Sequence, residues 1–230
     1  MSWIVDPLDI TAETETPLAW LVSLESPEAL AVMARAALTS ADYADFAGRA
    51  DGASRLDRRR LAKAMVAALA GRHPDEVALG RSSLGAPLIA HPEAWHVSLA
   101  GRWPLVALAV AREPIGVDVE RLDQPPPPED AFTPEERERI AGQPLLALEL
   151  WTAKEAHAKL TGRASLYEAR QIATRWDGDV LMTRCPRHAA RCQTTRGANA
   201  IATLAVSDQS LANAPRPEAF PGSNGIGETP

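Results

Sequence analysis

Cysteine is nearly absent from this chain. Cys185 and Cys192 are the only two in 230 residues, too few for a disulfide framework and not spaced as the C-x-x-C pair that zinc or thiol redox chemistry would use. They are expected to be reduced thiols. Positive charge is not in excess either: 24 Lys and Arg stand against 30 Asp and Glu, a net charge of -6, so the dense basic face that neutralises nucleic-acid phosphates is not expected. No run approaches the about 18 apolar residues of a membrane helix. The start, Met1-Ser2-Trp3-Ile4-Val5-Asp6-Pro7, lacks the cationic and then apolar order of a secretory leader. His73, His91, His96 and His188 have no ligand-like spacing. These absences predict a cytoplasmic protein with neither a nucleic-acid nor a membrane partner.

What is present is ordinary globular composition, 46% hydrophobic and 23% charged, enough for one large domain or two small ones. Ala19 to Leu24 predicts a first strand and Pro27 to Leu38 a helix. In Arg55 to Leu69, Leu56, Leu61, Met65 and Leu69 recur at helical spacing beside Arg58, Arg59, Arg60 and Lys63, an amphipathic helix with a basic face. After a turn-rich stretch from Gly80 to Pro87, His96 to Leu99 and Leu105 to Ala111 predict strands. Ile115 to Glu120 predicts another, broken by Pro125 to Pro128. Helices are expected from near Thr133 and from Leu145 through Gly162, then strands at Gln171 to Leu181 and Ala200 to Val206. From Ser207 the chain is polar and rich in proline and glycine, which predicts a disordered tail over 207–230.

One constellation carries chemistry. Asp118 and Glu120 lie two apart in a strand, so both carboxylates leave one face while Val117 and Val119 leave the other. Trp151, Glu155 and Lys159 are spaced by four along one helical stripe, with Lys154 beside it. If that stripe packs on the strand, Glu155 becomes a third carboxylate. Three hard oxygen ligands without histidine or cysteine favour Mg²⁺ over zinc, and Mg²⁺ keeps positions open for water and a diphosphate.

Gly116-Val117-Asp118-Val119-Glu120, followed by Trp151-Thr152-Ala153-Lys154-Glu155-Ala156-His157-Ala158-Lys159-Leu160-Thr161-Gly162, resembles the paired signatures of Sfp-type 4'-phosphopantetheinyl transferases, G-x-D-x-E and W-[ST]-x-K-E-A-x-x-K-x-x-G. Phe132-Thr133-Pro134-Glu135-Glu136 between them is similar to the family's F-[ST]-x-x-E segment. The resemblance spans roughly Arg55 to Thr183. It implies an enzyme of the holo-[acyl-carrier-protein] synthase type that moves the phosphopantetheine arm of coenzyme A to a serine of an acyl or peptidyl carrier protein and releases 3',5'-ADP. It further implies that Asp118, Glu120 and Glu155 ligate Mg²⁺ and that Lys159 neutralises the leaving phosphate. The serine proton would pass to Glu136, or to Glu155 through a water. Arg59 would face the nucleotide 3'-phosphate. Two departures bear on coenzyme A affinity: the family's G-K-P and serine-histidine-serine stretches are here Gly85-Ala86-Pro87 and Ser98-Leu99-Ala100. Arg58, Arg60, Arg81 and Arg102 are neighbouring cations that could supply the missing charge.

Plainer readings stand beside these. Glu155 and Lys159 also form an ordinary surface ion pair of about 0.3 kcal/mol, and Thr133-Pro134-Glu135-Glu136 is also a helix capping box. Trp151 reads as core with no chemistry, His157 as an incidental position, and His96 and Ser98 as candidates to line a nucleotide pocket. The resemblance implies an α+β 4'-phosphopantetheinyl transferase fold of two pseudo-symmetric halves, each a small antiparallel sheet with a long helix, with coenzyme A in the cleft between them. The expected division is 1–108 and 109–206, and two halves that already build a cleft predict a monomer. The rival classes are a weakened transferase-like protein that only binds coenzyme A or a carrier, and a metal-dependent phosphohydrolase.

Overall fold

The computed structural model describes residues 2–4, 10, 17–197 and 199–208. The tail expected at 207–230 lies outside the described residues from 209 onward; Ser207 itself ends a strand.

The first half opens with strands β1 (Ser2–Ile4) and β2 (Leu18–Ser23), followed by helices α1 (Pro27–Met33), α2 (Ser40–Phe46) and α3 (Gly52–Ala70). A small hairpin, β3 (Ala78–Arg81) and β4 (Pro87–His91), precedes β5 (His96–Arg102) and β6 (Leu105–Ala111). The four-stranded sheet has the order β1-β2-β6-β5, antiparallel except for the β1–β2 pair. Leu61, Met65 and Leu69 of α3 pack on Trp20, Val22, Leu108 and Val110 of that sheet, which is the apolar stripe read from the 3.6-residue spacing.

The second half comprises β7 (Ile115–Arg121), α4 (Pro134–Ile140), α5 (Pro144–Leu160), β8 (Ala173–Asp177), β9 (Val180–Cys185), β10 (His188–Arg196) and β11 (Ala200–Ser207). Its antiparallel sheet runs β7-β11-β10-β9-β8. Helix α5 lies on it through Leu150, Ala153, Ala156 and Leu160, against Leu181, Ala190, Cys192 and Ala205. The other face of this sheet meets the first sheet through a layer of small side chains, in which Val117, Val119, Ala202 and Leu204 pack on Ala19, Ala107 and Ala109. Alanine there lets the sheets approach closely, and Ser98 Oγ accepts a hydrogen bond from Val117 N at 3.0 Å across the junction.

The α+β architecture of two sheets, each carrying one long helix, agrees with the expectation. Several details differ from the element-by-element reading, strands β1, β3 and β4 among them. The short helix α2 is present, its Thr39 N-cap and Asp42 forming a capping box. The single strand expected over Gln171 to Leu181 is two strands: Asp177-Gly178 turns the chain, with Gly178 at φ +58° in the two-residue loop before Val180, a conformation that glycine adopts without steric cost. Strand β10 was hidden by its alanines and arginines, which give weak alternation. Strand β6 ends at Ala111, and β7 begins at Ile115.

Candidate active site

Strand β7 alternates as its letters require. Ile115, Val117 and Val119 enter the layer between the sheets, while Gly116, Asp118 and Glu120 face α5. The glycine sets the distance. A β-carbon at position 116 would lie 1.9 Å from Ala156 O and 2.6 Å from Leu160 N, so the helix backbone rests directly on the strand. That close approach brings the 151/155/159 stripe over the two acids.

Each acid meets a cation of the protein itself. Lys159 Nζ donates to Asp118 Oδ1 at 2.6 Å. Arg102 grips Glu120 with both arms of its guanidinium, Nη2 to Oε1 at 2.6 Å and Nε to Oε2 at 2.7 Å. Trp151 Nε1 donates to Glu120 Oε1 at 3.1 Å, so the indole read as plain core also orients an acid. Asp118 and Glu120 are both 4% exposed, while Glu155 is half-buried. Burial pushes the Asp118 carboxyl up from its ordinary value; Lys159 and, more weakly, Arg102 oppose this, and Glu120 adds to it. The Glu155 carboxyl is likewise raised, first by burial and then by the charge of Asp118, with Glu120 contributing in the same sense. The three carboxylates named from the sequence therefore share one electrostatic neighbourhood. Asp118 is paired with Lys159, and Glu120 with Arg102 and Trp151, and among the described residues no three carboxylate, imidazole or thiol groups stand in a ready metal-ligating arrangement. Asp118 Oδ2 is buried with no hydrogen-bond partner among the described residues, an acceptor whose desolvation is uncompensated.

Beside these acids opens a cleft of about 520 Å³ between the halves, lined among others by Lys159, Arg58, Arg81, His96, Ser98 and Leu99. Ala86, in the loop joining β3 to β4, also faces it, so both departures from the family pattern sit on the cleft wall. His96 and Ser98 line it, and Ser98 additionally holds Val117 in place.

The arginines of α3 divide the work. Arg59 lines the cleft but is 4% exposed. It donates to Asp42 Oδ1 at 3.2 Å, Asp45 Oδ2 at 2.6 Å and Leu79 O at 2.8 Å, and stacks 5.0 Å from the Phe46 ring centroid. Its charge is engaged in tying α2 and β3 to α3. Arg58 and Arg81 are less committed. Arg58 is held below its usual range by burial first and by the charge of Arg55 next, with Arg102 and Arg81 adding to it and Asp51 opposing. Arg81 is lowered by burial first, then by Arg49 and Arg55. Arg81 Nε is buried without an acceptor among the described residues. Crowded cations with an orphan donor suit an anionic ligand.

Glu136 sits elsewhere, 2% exposed. It closes the Thr133 capping box at 2.9 Å, accepts from Lys154 Nζ at 2.5 Å, and accepts from Thr174 N and Oγ1 at 2.8 and 2.6 Å. His157 is not incidental: it is fully buried, with Nδ1 2.8 Å from Thr183 Oγ1 and Nε2 3.4 Å from Cys185 Sγ. The sequence held no signal for this, because the partners lie 26 and 28 residues away.

Residues 114–206 match the family model described as the 4'-phosphopantetheinyl transferase superfamily. The matched residues are the second half of the structure, which contributes β7 and α5. No curated protein matches the chain. Among the described residues, no helix is long and apolar enough to cross a membrane.

Proposed function

We propose that this chain is a Sfp-type transferase that moves the 4'-phosphopantetheine arm of coenzyme A to a serine of a carrier protein and releases 3',5'-ADP. The observation that carries the reading is Lys159, which lines the cleft together with Arg58 and Arg81 and donates to Asp118, the neighbour of Glu120 and Glu155 in one carboxylate cluster. A cationic cleft whose Lys159 end abuts a carboxylate cluster suits a ligand made of a metal-bound diphosphate and a further phosphate.

The residues fit a hard divalent cation. All three side chains offer oxygen, and Asp118 Oδ2 is a buried acceptor without a donor. Mg²⁺ held by Asp118, Glu120 and Glu155 would supply neutralisation of the diphosphate. The chain's own groups account for the rest. Lys159 supplies positive charge at the acidic end, where the departing 3',5'-ADP phosphate gains charge. Arg58 and Arg81 take the role first expected of Arg59, whose charge Asp42 and Asp45 already hold. The serine oxygen forms a bond to the phosphorus next to pantetheine, the bond from that phosphorus to the ADP oxygen breaks, and the serine proton passes to Glu155. Glu155 is favoured over Glu136 because it is partly exposed, whereas both oxygens of the buried Glu136 are engaged by Thr133, Lys154 and Thr174. One chain supplies both walls, so the reading takes the enzyme as a cytoplasmic monomer.

Mass spectrometry of an apo carrier protein incubated with the enzyme, coenzyme A and Mg²⁺ tests this. A gain equal to the phosphopantetheine mass is expected. Release of 3',5'-ADP without a carrier would assign a phosphohydrolase instead. Tight coenzyme A binding in calorimetry with no transfer to acyl, peptidyl or other carriers would leave a binding protein.

A further inference from the structure

We infer that Glu136 and Lys154 are positioning residues, a buried pair that sets the rotation of α5 and thereby the placing of Glu155 and Lys159; the inference rests on the function proposed above. Lys154 is 0% and Glu136 2% exposed. Every proton of the Lys154 ammonium has an acceptor: Glu136 Oε2 at 2.5 Å, Ala131 O at 3.0 Å and Ala169 O at 3.2 Å. The Phe132 ring covers it, with Nζ 5.4 Å from the centroid.

Glu136 is equally occupied. Oε2 takes the Thr133 N–H and the ammonium, and Oε1 takes both Thr174 donors. Four segments distant in sequence are joined at this point: the turn at 131–133 with the start of α4, the middle of α5, the turn at 169, and β8. A carboxylate with both oxygens doubly engaged and away from solvent has no free lone pair for a substrate proton.

Its influence reaches the acids through one peptide bond. Lys154 precedes Glu155, and successive helix residues are turned by about 100°, so a bolt on one side of α5 fixes which way its neighbour faces. The opposite side of the helix rests on Gly116. With the helix held on both sides, the 155/159 stripe has one orientation over Asp118 and Glu120. A buried ion pair whose donors and acceptors are all satisfied is suited to specifying one arrangement rather than to adding stability.

The experiment compares wild type, K154M, E136Q and E136Q/K154M by three readouts: phosphopantetheine transfer over a range of pH, Mn²⁺ affinity from water-proton relaxation, and thermal unfolding. K154M leaves Glu136 buried and unpaired, and is expected to lower the unfolding temperature and weaken Mn²⁺ binding at least threefold. In E136Q/K154M the amide keeps an oxygen for both Thr174 donors and no unpaired charge is left buried, at the cost of the Thr133 N–H contact. This double variant is expected to regain Mn²⁺ affinity and to transfer within about tenfold of wild type with an unshifted pH profile. A double variant that folds and binds Mn²⁺ normally, yet loses a hundredfold or more in kcat together with the acid limb of its pH profile, would make Glu136 the base and overturn the inference. If the double variant unfolds, E136Q alone decides: transfer within about tenfold supports positioning, and a hundredfold loss at unchanged Mn²⁺ affinity overturns it. The Mn²⁺ arm does not depend on transfer, so an inactive wild type would remove the proposed function while the rescue of Mn²⁺ binding still reports on the pair.

Discussion

Gly116 and Ala156 are in backbone contact: a β-carbon on the glycine would lie 1.9 Å from the carbonyl oxygen of Ala156. The obstacle is helix backbone rather than a flexible side chain, so α5 would have to lift away from β7 to admit a methyl group. Overpacking of this kind costs about 1–3 kcal/mol. G116A is expected to lower the midpoint of urea unfolding and to reduce transfer more than tenfold, because Glu155 and Lys159 move with the helix. Wild-type activity in G116A would remove the close approach as the cause of the site's geometry.

Asp118 separates activity from stability. Burial raises its pKa, and a carboxyl whose folded pKa lies above the unfolded value contributes stability below that unfolded value and loses it as pH rises through the folded one. At neutral pH the ionised side chain is therefore a cost. D118N is expected to unfold at the same temperature as wild type or higher while transfer falls by at least about a hundredfold, a loss in the range that follows removal of a charge-stabilising group. A D118N protein that unfolds earlier and keeps its activity would contradict both halves.

His157 gives a pH dependence of known sign. Its folded pKa is lowered from 6.5 to about 4, by burial first and by the charge of His188 second. The stabilisation is complete above 6.5 and is lost as pH falls from 6.5 toward 4, because the unfolded chain takes up the proton first. The shift corresponds to about 3 kcal/mol at most. Urea titrations of wild type and H157Q at pH 7.5 and 4.5 should differ in slope, with the variant the flatter. Subtracting the two cancels the opposing contributions of Asp118 and Glu155. Parallel pH dependences would exclude a neutral buried imidazole.

Arg59 and Arg81 should part company on mutation. R59A removes the nearer of two cations beside Asp42, 3% exposed, leaving Lys63 at 3.6 Å and the Thr39 cap, and is expected to cost about 1.5–3 kcal/mol of stability. R81A removes a cation whose Nε has no acceptor among the described residues and whose Nη1 donates only to Gly85 O in an exposed turn, and should leave the unfolding temperature within a few degrees of wild type. Its calorimetric Kd for coenzyme A should rise by about 10-fold or more, the worth of a charged hydrogen bond. If R59A were the variant that folds normally and binds weakly, the division of labour among the arginines would be reversed.

Much of this was legible before any fold was known. The two-residue spacing of Asp118 and Glu120 and the four-residue spacing of Trp151, Glu155 and Lys159 are properties of a strand and a helix wherever those stand, and both elements form with the faces expected. The capping box at Thr133 formed as read. What the letters concealed was competition for charge. Arg59 and Arg81 read alike in a string, yet Asp42 and Asp45 neutralise only the former within hydrogen-bond distance. Glu136 is both a cap and an acidic residue in a motif, and only its proximity to Lys154 and Thr174 shows all its lone pairs in use.

By itself, the order of residues determined the local periods, the caps, the turns and the set of acids that one strand and one helix could present together. Those follow from φ/ψ preferences and side-chain direction, which act over a few residues. Only tertiary structure decided that Gly116 lets the helix touch the strand, that Lys159 and Arg102 sit on the acids, and which arginines remain free to meet an anion. The physical reason is range. Burial and Coulomb partners act through space between groups tens of residues apart, and a sequence records their identities without recording their distances.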